Sequence, residues 1–74
     1  MDLKEIRKTI KEQRKRIEFY KSEIFRLYEN AENGEVKGEK NLQKLFENVD
    51  QLKILKAHSE KILVKYLVME AEEK

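Results

Sequence analysis

The sequence predicts an all-α protein, an antiparallel hairpin of two long helices that dimerises into a four-helix bundle. Apolar residues recur at alternating spacings of three and four in both halves of the chain, which places them along one side of a helix. No proline interrupts either half, and the two glycines, Gly34 and Gly38, lie close together near the middle. With 74 residues and no cysteine, the chain is expected to form one small domain, residues 1–74, that gains stability from association rather than from disulfides.

The first predicted helix extends from about residue 2 to residue 32. Asp2 is placed to cap its first turn. The helix is expected to end at Asn33-Gly34, because glycine adopts the left-handed conformation at a helix end without steric cost. The apolar side is formed by residues at successive a and d heptad positions: Leu3, Ile6, Ile10, Gln13, Ile17, Tyr20, Ile24, Leu27 and Ala31.

The second predicted helix extends from about residue 39 to residue 72, after a turn over residues 33–38. Its first half keeps the heptad spacing: Leu42, Leu45, Val49 and Leu52. The apolar phase then slips by three residues, a change that locally overwinds a coiled coil. After the slip, the seam is predicted to continue through a second set of residues: Leu55, Ile62, Tyr66 and Met69.

A short turn between two long helices makes them fold back antiparallel. In that register Leu27 meets Leu45 or Phe46, and Gln13 falls opposite Ser59. The pair Gln13 and Ser59 forms a polar layer in an otherwise apolar seam. Such a layer costs stability and fixes the register or the number of partners, so this role is expected for Gln13.

The end of the second helix carries more apolar surface than one partner helix can bury. At about 100° per residue, its apolar arc covers roughly 300° of the helix circumference. The predicted self-association surface consists of these residues: Ile54, Ala57, Val64, Leu67, Val68 and Ala71. A homodimer is expected because symmetric homo-oligomers are the most frequent assemblies. A trimer and a complex with a different protein are the alternatives.

The residue types needed for catalysis or metal binding do not form a pattern. The single histidine, His58, has no second histidine to share a metal. Ser22 and Ser59 have no histidine placed to activate them, and no glycine-rich phosphate loop is present. The sequence therefore predicts a non-enzymatic interaction module without a cofactor or a metal, acting as an adaptor, a regulator or an assembly factor.

The first half of the chain is basic and supports an alternative function. From Lys4 to Lys21 it carries eight basic residues against three acidic ones, although the whole chain has a net charge of only +2. Cations that neutralise phosphates, beside an aromatic ring that stacks on a base, would bind RNA or DNA. The predicted partner or nucleic-acid face is formed by outward-facing residues: Lys4, Lys8, Lys11, Lys15, Arg16 and Phe19.

The expected pair of helical hairpins is similar in architecture to the plasmid-copy-number Rop proteins, which bind RNA loops with the outer face of their first helices. No sequence motif is shared, so the resemblance is an analogy of architecture. A different interpretation of the basic face is that Glu70, Glu72 and Glu73 return beside the N-terminus in an antiparallel hairpin and offset its charge.

No part of the sequence indicates a signal peptide or a membrane span. The N-terminal stretch MDLKEIRK lacks an apolar core, and the longest apolar run is four residues, Tyr66 to Met69. A bilayer span needs roughly 18 apolar residues or more. A cytoplasmic protein without membrane insertion is therefore expected.

Overall fold

The computed structural model describes residues 1–73 and contains two α-helices joined by a short turn. Helix α1 comprises Leu3–Glu32 and helix α2 comprises Glu39–Glu73. The helices pack against each other in a rod of 53 × 16 × 13 Å, and residues 1–73 contain no β-strand. A rise of ~1.5 Å per residue gives the 35 residues of α2 a length of about 52 Å, so α2 alone accounts for the length of the rod. The prediction of an all-α helical hairpin is confirmed, and dimerisation stays a prediction.

Local hydrogen bonds explain why α1 begins and ends where it does. The Asp2 carboxylate accepts a hydrogen bond from the backbone N–H of Lys4 at 3.3 Å, so Asp2 caps the helix as predicted. At the other end, the N–H of Glu35 donates to the carbonyl of Asn30 at 3.0 Å, and the N–H of Gly34 donates to Ala31 at 3.3 Å. This pair of bonds is a Schellman motif, which satisfies carbonyls that a helix end leaves free.

Two glycines let the chain reverse direction between the helices. Gly34 has φ of +72° and Gly38 has φ of +92°, a region that side chains with a Cβ rarely adopt. The Asn41 side chain donates to the carbonyl of Lys37 at 2.8 Å, which holds the start of α2 against the turn. The turn therefore occupies the predicted residues, and the helix bounds lie within one residue of those predicted.

The core is a narrow seam between the helices. Ile6, Ile10, Leu45 and Val49 are its buried apolar residues. Near the turn, the rings of Tyr28 and Phe46 lie 6.5 Å apart, close to the predicted pairing of Leu27 with Leu45 or Phe46.

The predicted slip in the phase of α2 is wrong. Leu55 is 46% exposed, whereas Lys56 is half-buried and Ser59 is buried. The buried and half-buried positions therefore continue at spacings of three and four: Leu42, Leu45, Val49, Leu52, Lys56, Ser59, Leu63 and Tyr66. Ile62 and Met69, which the prediction placed in the seam, are half-buried as well. The physical reason is the partner helix. Because the seam side of α1 keeps one phase from Leu3 to Ala31, α2 must keep the same phase to stay packed against it.

Both residues of the predicted polar layer lie inside the seam. Gln13 is 6% exposed and Ser59 is 3% exposed. The side-chain oxygen of Gln13 is buried and accepts no hydrogen bond. A buried acceptor without a partner costs about 1–3 kcal/mol, so the layer destabilises the hairpin.

We expect the replacement Gln13→Leu to raise the free energy of unfolding by about 1–2 kcal/mol, because it removes the unpaired oxygen and adds apolar contact in the seam. Urea denaturation at one fixed protein concentration would measure the change. Gln51→Leu is the matched control, because Gln51 is exposed on α2 and its replacement should change stability by less than about 0.5 kcal/mol. Equal stability of the two variants would contradict a cost for the buried amide.

Candidate binding surfaces

The outer side of α2 carries an apolar surface that α1 does not cover, here called the outer stripe. It consists of these residues: Ile54, Ala57, Val64, Leu67, Val68 and Ala71. Five of the six are exposed, and Leu67, at the edge nearest α1, is half-buried. The exposed fraction is 69% for Ile54, 60% for Val64 and 52% for Val68. The structure thus leaves the predicted self-association residues accessible in the single hairpin.

The outer stripe is exposed because a single partner helix covers only one side of α2. The buried residues Leu45, Val49 and Ser59 face α1, and the stripe lies on the side away from them. With Lys61 between Ala57 and Val64, the positions of the stripe recur at spacings of three and four, as the residues of a helix–helix seam do. Exposed apolar surface concentrated on one side of a small protein is typical of an interaction site.

A basic groove runs along α1 near the open end of the hairpin. It encloses about 540 Å³ and is lined by seven residues: Arg7, Ile10, Lys11, Arg14, Lys15, Glu18 and Glu70. Lys11 and Lys15 belong to the predicted nucleic-acid face. Arg7 and Arg14 do not, and the sequence interpretation missed them.

The other residues of the predicted face are exposed but lie outside this groove: Lys4, Lys8, Arg16 and Phe19. Phe19 packs its ring edge-on against Tyr20, with the ring centres 5.9 Å apart. The structure therefore brings Lys11 and Lys15 together with two arginines in the groove, and Phe19 lies one helical turn beyond Lys15, outside the groove lining. Arg7 and Arg14 could have been found from the sequence, because residues seven apart lie on one line along a helix.

Glu70 reaches across from α2 and pairs with Arg7 in the basic groove. The Glu70 carboxylate lies 3.2 Å from Nε of Arg7. This contact agrees with the interpretation that the acidic end of α2 offsets part of the basic charge of α1. The groove nevertheless stays cationic, with four basic residues against two acidic ones. None of the ion pairs within residues 1–73 includes Lys11, Arg14 or Lys15.

A second groove lies closer to the turn and combines aromatic rings with lysines; we call it the aromatic groove. It encloses about 360 Å³ and is lined by six residues: Lys21, Ile24, Phe25, Tyr28, Lys53 and Lys56. The ammonium nitrogen of Lys53 lies 5.7 Å from the centre of the Tyr28 ring. The neighbouring Tyr28 side chain raises the pKa of Lys53 above its ordinary value. The aromatic groove therefore has apolar residues at its floor and lysines at its rim.

The basic and aromatic grooves lie on the same side of the hairpin. Arg7, Arg14, Lys21 and Tyr28 recur every seven residues along α1, so they form one line beside the seam. The first two line the basic groove and the last two line the aromatic groove. The two grooves therefore follow one another along α1.

A patch of α2 near the turn is acidic. A third groove of about 470 Å³ carries three carboxylates beside apolar residues, and its lining consists of Glu39, Leu42, Gln43, Phe46, Glu47 and Asp50. The basic character of the hairpin is thus concentrated at the open end of α1 rather than spread over the whole rod.

Two kinds of site are missing from the part of the chain that the structure describes. Within residues 1–73, the acidic side chains and His58 form no group of three that could hold a metal ion. Neither α1 nor α2 combines the length and the apolar composition that crossing a bilayer requires.

Comparison with protein families, with curated proteins and with solved structures gives no match to this chain. The outer stripe of α2 and the grooves along α1 are therefore the features from which a function can be inferred.

The ion pair between Arg7 and Glu70 should contribute little to stability, because the Arg7 side chain is largely exposed to solvent. A double-mutant cycle with Arg7→Ala and Glu70→Ala, followed by urea denaturation, should give a coupling energy of about 0.2–1 kcal/mol. The coupling should shrink when salt is raised, because exposed charges are screened. A coupling above about 2 kcal/mol would show that this contact holds the open end closed.

Proposed function

We propose that the protein is a small non-catalytic interaction module that self-associates as a homodimer through the outer stripe of α2. The observation that carries this proposal is the exposure of Ile54, Val64 and Val68 on the side of α2 away from α1. Removing apolar surface of this kind from water is the main favourable term in protein association. A second copy of the chain offers a surface of the same shape and chemistry.

The spacing of the stripe supports a helix–helix contact between two copies of α2. When Lys61 is counted, the following positions recur at spacings of three and four, which matches the seam of a coiled coil: Ile54, Ala57, Lys61, Val64, Val68 and Ala71. Ala57 and Ala71 are small and let two helices approach closely. Lys61 interrupts the stripe, but its aliphatic stem can pack along apolar neighbours while the ammonium group stays in water. Two hairpins joined in this way form a bundle of four helices.

The replacement pair Val64→Lys/Val68→Lys should convert the dimer to a monomer, because it places charges in the proposed interface. Sedimentation velocity at micromolar concentration would measure the mass. Gln43→Lys/Gln51→Lys is the matched control, since it adds the same charge to exposed positions of α2 outside the stripe and should leave the dimer intact. A wild-type chain that is folded and monomeric at this concentration would overturn the proposal.

Because the chain has no cysteine, one introduced thiol gives an independent readout of the same contact. Val64→Cys lies near the middle of the stripe and should form a disulfide-linked dimer on mild oxidation, since two such thiols would lie close together. Lys44→Cys is exposed outside the stripe and should stay monomeric on a denaturing gel. Equal cross-linking of both variants would argue against a specific interface.

A second candidate function, a regulator that binds RNA or DNA, is favoured by the basic groove. Four cations converge there, and Lys11, Arg14 and Lys15 pair with no acidic side chain within residues 1–73. Phosphate oxygens are ligands for such a cluster, and arginine can bind them with two parallel hydrogen bonds. The outer stripe lies away from α1, so both functions are compatible with one hairpin.

The triple replacement Lys11→Ala/Arg14→Ala/Lys15→Ala should weaken binding of a mixed-sequence oligonucleotide at least about tenfold, because it removes phosphate contacts. Fluorescence anisotropy between about 50 and 200 mM salt should also show a slope of log K against log salt that is shallower by about 2. Lys40→Ala/Lys44→Ala/Lys65→Ala removes the same charge outside the groove and should have a smaller effect. Similar losses in both variants would mean that the groove is not the site.

A further inference from the structure

We infer that the basic groove and the aromatic groove form one track for a single-stranded nucleic acid, with phosphates in the basic groove and a base stacked on Phe25. This inference rests on the nucleic-acid function proposed above. It adds the aromatic groove, closer to the turn, as a second part of the site. It also names single strands as the class of nucleic acid that the site binds.

The two grooves are continuous along one line of α1. Arg7, Arg14, Lys21 and Tyr28 are each seven residues apart, so at ~1.5 Å per residue successive members lie about 10 Å apart along the axis. The whole line covers about 32 Å. A strand that follows this line passes from the arginines to Lys21, which borders the aromatic groove.

Phe25 gives the aromatic groove a surface on which a base can stack. Its side chain is 64% exposed although it lies in a groove with Ile24 and Tyr28. Three lysines line the groove around it, of which Lys53 forms no ion pair within residues 1–73. Lys21 and Lys56 pair with the exposed carboxylates Glu18 and Glu60 at 3.7 and 3.4 Å, weak contacts that a phosphate can replace. A cationic groove that carries exposed aromatic rings is the arrangement by which proteins bind single strands without a requirement for sequence.

The geometry favours a single strand over other polyanions. In a duplex the bases stack on each other, so Phe25 would have no base to contact. A lipid bilayer presents phosphates but no base that could stack on the exposed Phe25 ring. A single strand can place both its phosphates and its bases in such grooves.

The experiment uses the full chain and two labelled probes: a single-stranded RNA of about 16 nucleotides and the same sequence as a perfect duplex. Anisotropy should show binding of the single strand at least about tenfold tighter than binding of the duplex. Phe25→Ala should weaken binding of the single strand about tenfold and leave the affinity for the duplex unchanged. Leu55→Ala is the control, because Leu55 is a large apolar residue that is 46% exposed on α2 and lines neither groove, and its replacement should change affinity less than twofold.

A spectroscopic readout tests stacking directly. The chain has no tryptophan, so Phe25→Trp introduces a single indole and should preserve binding. Its fluorescence should be quenched by the single-stranded RNA, because a stacked base lies against the ring. Inorganic polyphosphate and vesicles of phosphatidylserine with phosphatidylcholine should leave it unchanged.

The outcomes separate the inference from the function on which it rests. Equal affinity of Phe25→Ala and Leu55→Ala, with loss of binding in the Lys11/Arg14/Lys15 triple variant, would overturn the stacking track and leave nucleic-acid binding in place. Absence of binding to both RNA probes would overturn both. Quenching of the introduced tryptophan by anionic vesicles, without quenching by RNA, would also overturn the track and assign this groove to a lipid surface.

Discussion

The hairpin depends on one constraint: each helix can bury only a narrow side against the other, and both sides must keep the same phase along the whole rod. Ile6, Ile10, Leu45 and Val49 form the buried apolar part of this seam. The constraint is strong enough to bring Gln13 and Ser59 inside, although neither is apolar. The residues outside the seam face outward. They include the outer stripe of α2 and the cations of α1, which are accessible to a partner.

Most of the fold could be predicted from the sequence, because the relevant signals are local. Asp2 caps α1, Gly34 and Gly38 adopt positive φ in the turn, and the apolar spacing identifies the seam side of α1. The phase of the second half of α2 could not be predicted from apolar residues alone. Lys56 and Ser59 are polar and break the apolar pattern, yet a lysine stem and a small hydroxyl can occupy seam positions beside longer apolar neighbours. The packing against α1 decides the phase there.

The candidate binding surfaces were also only partly predictable from the sequence. The outer stripe and the cations Lys11 and Lys15 could be predicted from spacing and charge, because both depend on one helix at a time. The grooves could not, since each depends on how the second helix lies beside the first. Glu70 reaches the basic groove from the far end of α2, and Lys53 reaches Tyr28 in the aromatic groove. Exposure of Phe25 in a groove likewise follows from the pairing of the helices.

The shape of the rod has a consequence for how the molecule opens. The turn ties the helices covalently at one end, whereas at the other end they are joined only through side chains such as Ile6 and the pair Arg7–Glu70. We therefore expect the helices to separate first at the free ends and last next to Gly34 and Gly38. The basic groove lies at this open end. A polyanion bound there would therefore stabilise the packing of α1 against α2.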